Sequence, residues 1–242
     1  MKGPFFPARV LLSQIPKVDA HVHTCLTDGY GSLEEYVERA RDLGLQAIAF
    51  TEHADDTSSW LAGFGKRKAE LQRLADPVRV YLGAEVKLAR PDGTINLSEE
   101  GIGVVDFVVG VLHRYPDGAG GYLSFENLDP EEAMDLDYCL SLALLANPLV
   151  DVFGHPGGVY STYFGRYDAS RMKALVTVAA SYGRVVEINS NPRYQHVFSQ
   201  ILERCLELDC LVSIGSDAHR VDELGHVVGA LRESKLGLPD LG

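Results

Sequence analysis

Long apolar runs are absent from this chain, and no stretch approaches the length that crosses a bilayer. The start, Met1–Val10, also lacks the basic-then-apolar order of a secretion signal, so residues 1–17 read as a short N-terminal arm. The four cysteines, Cys25, Cys139, Cys205 and Cys210, form no CxxC pair and read as free thiols in a reducing, cytoplasmic setting. Positive charge is scarce: 22 Lys and Arg face 34 Asp and Glu, for a net charge of -12. Such a chain is a poor electrostatic trap for long nucleic acid, although bound divalent metals would change the sign in a single cleft. No internal repeat, low-complexity tract or clear linker interrupts it.

What is present is a strict alternation. The 242 residues, 46% hydrophobic and 23% charged, suit one soluble α/β domain with a large core. Strands are expected at Val18–His23, Ala47–Thr51, Val78–Glu85, Phe107–Leu112, Val150–Phe153, Val185–Ile188 and Leu211–Ile214. Helices are expected from the N-cap Ser32 to Gly44, and over Trp60–Leu74, Pro130–Ala146, Ala169–Tyr182, Gln195–Leu208 and roughly Val221–Leu236. Pro91–Gly103 reads as a loop. This is the pattern of a parallel α/β fold. An open dinucleotide-binding sheet shares it, but the first strand–helix turn has no GxGxxG.

Six of the strands end in, or run into, a residue that can bind metal: His21 and His23, then His53, Glu85, His113, His155, and finally Asp217 with His219. Strand residues two apart share a face, so each pair can enter one site. Each histidine alone is more often a loop or core residue than a ligand. Six of the eight histidines at strand C-termini, where an α/β barrel gathers its active site, make a joint pattern. His196 and His226 lie in or near helices and are left out. Imidazole with carboxylate suits Zn, Mn or Fe, and the surplus of candidates suits two or three divalent ions rather than one.

In order, the blocks Asp19-Ala20-His21-Val22-His23-Thr24, Thr51-Glu52-His53-Ala54-Asp55, Gly83-Ala84-Glu85, His113, Gly154-His155-Pro156, Glu187-Ile188-Asn189 and Gly215-Ser216-Asp217-Ala218-His219 resemble the PHP family, named for polymerase and histidinol phosphatase. The resemblance runs from roughly Val18 to Val228 and implies a distorted (β/α)7 TIM-like barrel, here residues 18–242, with a site that usually holds three metals. Carried over, it implies that His21, His23, Glu85 and Asp217 hold one metal. Glu85 would bridge to a second, held by His113 and His155, and His53 with His219 would hold a third. A further ligand follows HxH in many relatives; its best match is Asp28, otherwise a plain turn residue before Gly29. Glu187 reads as a hydrogen-bond partner that orients a ligand.

The resemblance also implies hydrolysis of a small phosphomonoester, histidinol-phosphate-like or a nucleotide, with a metal-bridged hydroxide as nucleophile. Asp217, His219 and His53 are the candidate catalytic groups. Arg193, Arg166 and Arg114, in that order, are candidates to grip the phosphate, each otherwise a solvated loop charge. Tyr160, Tyr163, Phe164 and Tyr167 are expected as an apolar wall or a rim cover. Two other readings stay open. One is an amidohydrolase acting on amides or lactones, for which Lys87 mimics the bridging lysine. The other is a non-catalytic PHP domain.

Overall fold

The apolar runs are short because each needs only to cross a barrel wall. In the computed structural model, which describes residues 2–234, they form one curled sheet. Its strands are β1 (Phe6–Pro7), β2 (Val18–Val22), β3 (Ala47–His53), β4 (Arg79–Lys87), β5 (Phe107–Val111), β6 (Val152–Phe153), β7 (Val185–Asn189) and β8 (Leu211–Gly215). They lie in the order β1-β8-β7-β6-β5-β4-β3-β2, with β2 to β8 parallel and β1 antiparallel on β8. Helices α1 (Leu33–Asp42), α2 (Leu61–Ala75), α3 (Glu99–Ile102), α4 (Pro130–Ala146), α5 (Gly158–Tyr163), α6 (Ala169–Ser181), α7 (Gln195–Leu208) and α8 (His226–Glu233) fill the connections. Among the described residues no helix is long and apolar enough to cross a membrane.

Local chemistry sets the helix starts. Ser32 and Glu35 form a reciprocal capping box on α1, and Asp129 accepts from the Glu131 and Glu132 amides ahead of α4, with Pro130 in its first turn. Three expectations change. Gly225, at φ 80°, splits the last helix into a 3-10 turn at Val221–Glu223 and α8; its expected end, Leu236, lies outside the described residues. The loose stretch Pro91–Gly103 contains α3. Residues ahead of Val18 do not hang free as an arm. Phe6 and Pro7 pair with Val212 and Leu211, and Ala8 and Leu11 are fully buried. Phe5 meets Phe107 edge-on at 5.1 Å beneath the sheet's inner face.

Alternation then sorts the side chains. Ala49, Phe107, Val109, Val111, Val152 and Val185 make a small apolar cluster on the inner face. Two or more residues further along the same strands and the same face come His53, His113 and Glu187. On β2 the register slips between Asp19 and Val22, a bulge that lets both Ala20 and His21 face inward. The seam between β2 and β8 closes only at its C-terminal end, through a Val22–Ala218 bridge and the His23 amide donating to the Ala218 carbonyl at 2.9 Å. Fully buried Asp19 welds this seam. It accepts from the Ser216 amide at 2.9 Å, the Ser216 hydroxyl at 2.6 Å and the Gly225 amide at 2.8 Å.

A second buried carboxylate braces the other side of the mouth. Asp137 of α4 accepts from the Tyr115 and Tyr167 hydroxyls, each at 3.0 Å, and so ties together the segments that follow β5 and α5. Burial, opposed by these hydrogen bonds, lifts its carboxyl from 3.8 to about 6. The folded chain therefore binds this proton more tightly than the unfolded chain, and stability falls as pH rises from 3.8 to about 6. Asp137→Asn is expected to remove that slope. Relative to the native protein, the variant should gain roughly 3 kcal/mol between the acid and neutral sides of the window, at ~1.4 kcal/mol per pH unit. Urea unfolding at a series of pH values reads the difference; a constant gap across the window would contradict it.

Candidate metal centre

The strand C-termini deliver their polar residues to one mouth. His21 and His23 are fully buried, and their Nε2 atoms face each other at 3.1 Å. Gly215 makes room for His21: a Cβ there would sit 2.5 Å from the His21 Cβ. Glu85 stands in the middle. Its Oε1 lies 2.9 Å from His155 Nε2, 3.3 Å from His113 Nε2 and 3.6 Å from His21 Nε2. Its Oε2 lies 2.5 Å from His53 Nδ1 and 3.6 Å from His23 Nε2. Asp217 Oδ1 is 3.4 Å from His23 Nε2 and 3.7 Å from both His21 Nε2 and His219 Nδ1. His155 and Asp217 both take the left-handed conformation, φ 26° and 55°, which L side chains rarely adopt. Strain of this kind, held by the surrounding structure, gathers at functional sites.

Asp28 comes from the loop after β2. Its carboxylate is 3.1 Å from His53 Nε2 and 3.5 Å from His219 Nε2. Two features hold that loop. Gly29 passes so close to β2 that a Cβ would lie 2.3 Å from the His23 carbonyl oxygen. Glu52, pointing away from the cluster, accepts from the Thr24 amide and hydroxyl at 3.0 and 2.6 Å and from the Thr27 hydroxyl at 2.5 Å. Asp55 instead accepts from the Thr57 amide and hydroxyl in its own turn. Glu187 accepts from His21 Nδ1 and from the His155 amide, both at 2.6 Å. The first bond turns His21 Nε2 toward the cluster.

Charge in this cluster is divided between carboxylates and imidazoles. Burial pulls His21 down, but Glu187, Asp217 and Glu85 outweigh it and raise the ring to about 10. Asp28 and Glu85 likewise outweigh burial at His53, also about 10, and Asp28 and Asp217 lift His219 to about 8. Burial leaves His23 lowered. Burial works against Asp217, yet His23 and His21 hold it at about 2. Three overlapping sets of donor atoms lie close enough to share an ion: His23, Asp28, His53 and His219; His21, His23 and Asp217; and His53, Glu85 and His113.

A cleft of about 340 Å³ opens above. His53, Glu85, His113, Asp217, His219 and Asp28 form its floor, with Lys87, Thr162, Tyr163, Arg193 and Tyr194 among its walls. Arg193 reaches it. Arg166 is exposed and does not line it, and the Arg114 guanidinium lies 5.9 Å from the centre of the Tyr122 ring, also outside it. Tyr163 is the member of the expected aromatic wall that lines the cleft; Tyr160 and Tyr167 are buried behind it. His196 and His226 are exposed on α7 and α8. Sequence reasoning passed over Tyr194, whose ring stacks on His155 at 4.7 Å, and Asn191, whose amide donates to Asp217 Oδ2 at 3.1 Å. Both sit beside Arg193, in the loop that had already been singled out.

The sequence profile of the PHP domain family matches residues 19–191. This chain belongs to the PHP domain family. A protein of Caldicellulosiruptor saccharolyticus described as a probable phosphatase is 26% identical over 210 residues, 84% of this chain and 80% of the relative. An Escherichia coli protein with the same description is 24% identical over 224 residues, 89% and 83% of the two chains. The Lactococcus lactis histidinol phosphate phosphatase, solved with zinc, L-histidinol and phosphate, superposes with a TM-score of 0.68 at 19% identity, covering 89% of this chain and 94% of that one. A Listeria monocytogenes structure gives 0.72 at 17% identity, covering 88% and 99%. These two share the fold of this PHP domain. The family match ends before Asp217 and His219, which β8 brings to the cluster.

Coordination requires an imidazole nitrogen without its proton. Because the carboxylates raise His21, His53 and His219, binding of Zn or Mn to the metal-free protein should release protons and tighten as pH rises through 7 and 8. Calorimetry in two buffers of different ionisation enthalpy counts the protons. Affinity that stays flat over this range would exclude these rings as ligands.

Proposed function

We propose that this PHP protein is a metal-dependent phosphomonoesterase acting on small phosphate esters. The observation that carries the reading is the placement of Glu85 among the imidazoles of His21, His23, His53, His113 and His155. The donor set fits metal: His23 Nδ1 and His155 Nδ1 are buried without a hydrogen-bond partner, and the Glu85 carboxylate is surrounded by imidazole nitrogens. Nitrogen with carboxylate oxygen favours Zn, Mn or Fe over Ca and Mg. His21, His23 and Asp217 would hold one ion. His113 and His155 would hold a second, and Asp28, His53 and His219 a third, with Glu85 shared. When bound, such ions supply an acidified water and neutralise charge on phosphoryl oxygens. The phosphatase descriptions of the relatives, and the phosphate in the Lactococcus structure, support the same reaction class.

The chain's own residues do the rest. Arg193 grips a phosphoryl oxygen from the wall, where a guanidinium fork matches two oxygens at once. Asp217, ionised and fixed at Oδ2 by Asn191, would lend Oδ1 to the ion it shares with His21 and His23. His219, whose Nδ1 meets the Asp217 carbonyl at 2.9 Å, turns its Nε2 toward Asp28 and the ion they would share. Tyr194 and Tyr163 restrict water on the Arg193 side.

Purified protein should carry more than one transition-metal ion per chain and lose its activity to chelators. Elemental analysis finding one ion or none in a fully active sample contradicts the multinuclear site. On a mixed substrate panel, phosphomonoesters should turn over in preference to amides and lactones; the reverse order assigns the protein to the amidohydrolases.

Arg193→Ala should lower kcat/KM by one to two orders of magnitude, since a charge-assisted hydrogen bond contributes roughly 1.5–3 kcal/mol. Metal content should not change. His155→Ala should lower activity and metal content together. Native kinetics in Arg193→Ala would remove the arginine from the site.

A further inference from the structure

Lys87 is the last residue of β4, two positions beyond Glu85 and on the same face. Its backbone is pinned on both sides: the Lys87 amide donates to the Asn96 side chain at 2.9 Å, and the Asn96 amide donates to the Lys87 carbonyl at 3.2 Å. The half-buried side chain lines the cleft. Among the described residues its ammonium makes no hydrogen bond, and no carboxylate lies within 4.0 Å. Asp55 feels its charge only from further away. The carboxylates of the floor face the imidazoles instead. The arginine of the cleft is Arg193, in the loop after β7. Strands β5 and β6 separate β4 from β7 on one side, and β3, β2 and β8 on the other. The two cations therefore flank the mouth from opposite walls.

A cleft floored by metal ions needs no further cation to balance its charge. An ammonium that lines the cleft without a protein partner is free to meet an anion that a ligand carries. We infer that Lys87 binds a second anionic group of the substrate, so that the preferred substrate is a small phosphomonoester with a carboxylate or a second phosphate at the end remote from the scissile bond. This rests on the phosphomonoesterase reading above. Arg193 and the floor take the phosphoryl group to be removed, and Lys87 sets which leaving groups fit. Histidinol phosphate, with a cationic amine in place of that anion, is a poor match to this wall.

The test uses phosphate monoesters of one three-carbon chain ending in a methyl, a carboxylate or a second phosphate, with metal-loaded protein. The anionic esters should exceed the methyl ester in kcat/KM by about tenfold or more, chiefly through KM. Whichever of the two is preferred identifies the second group as carboxylate or phosphate. Lys87→Met should collapse that ratio, Lys87→Arg should keep most of it, and metal content should stay level in both. A second readout is independent of turnover. The carboxylate ester should protect Lys87 from amine acylation mapped by mass spectrometry, and the methyl ester should not. A native protein indifferent to the second anion, or a Lys87→Met variant that keeps the ratio, overturns the assignment. If no phosphomonoester is hydrolysed at all, the hydrolase reading falls and takes this one with it.

Discussion

A single carboxylate organises this molecule. Glu85 is buried at the end of β4, and imidazoles from the ends of β2, β3, β5 and β6 converge on it. An ionised carboxylate in that position is tolerable only if cations or protonated rings surround it. The barrel supplies them because parallel strands all end at one mouth. The requirement explains features that otherwise look unrelated. The β2 bulge brings His21 inward, the glycine at 215 lets it seat, and left-handed backbone at residues 155 and 217 turns two side chains back over the mouth.

Around that centre lies a ring of groups that touch the donors rather than the cleft. Glu187 fixes His21 and the His155 amide, Asn191 fixes Asp217, and Glu52 anchors the loop that presents Asp28. Burial lifts the Glu52 carboxyl to about 7, opposed by the hydroxyl and amide donors on both its oxygens. Asp19 and Asp137 repeat the device further out, each a buried carboxylate satisfied by amides or hydroxyls and each joining segments distant in sequence. Hydrogen bonds rather than ion pairs brace the scaffold here, which leaves the positive charge of the inner face to the metal centre.

Much of this was legible in the sequence, for physical reasons. Short apolar runs ending in His, Asp or Glu identify strands whose ends matter, and Ser32 and Pro130 announce their helices. What was not legible depends on contacts across the chain. Phe6–Pro7 is too short to show periodicity, and its pairing with Leu211 and Val212 is visible only in three dimensions. Helix α5 has six residues and begins with glycine, below any pattern threshold. Arg114 and Arg166 sit in loops near the mouth just as Arg193 does, and nothing local tells which loop bends inward. Lys87 was set aside because its spacing from Glu85 suggested a different chemistry; its lack of a partner becomes evident only once the neighbouring carboxylates have positions.

The seam between β2 and β8 also bears on how the molecule is made. Asp19 and Ser216 are 197 residues apart along the chain, and Phe6 must find Val212. His21 and His23 are separated from Asp217 and His219 by almost the same stretch, so neither pair of donors is complete without the other end of the barrel. Contacts of such long range close late and slow the folding of a barrel. Until they close, the chain presents an open sheet edge and an incomplete set of donors, so the seam and the metal centre are completed by the same event.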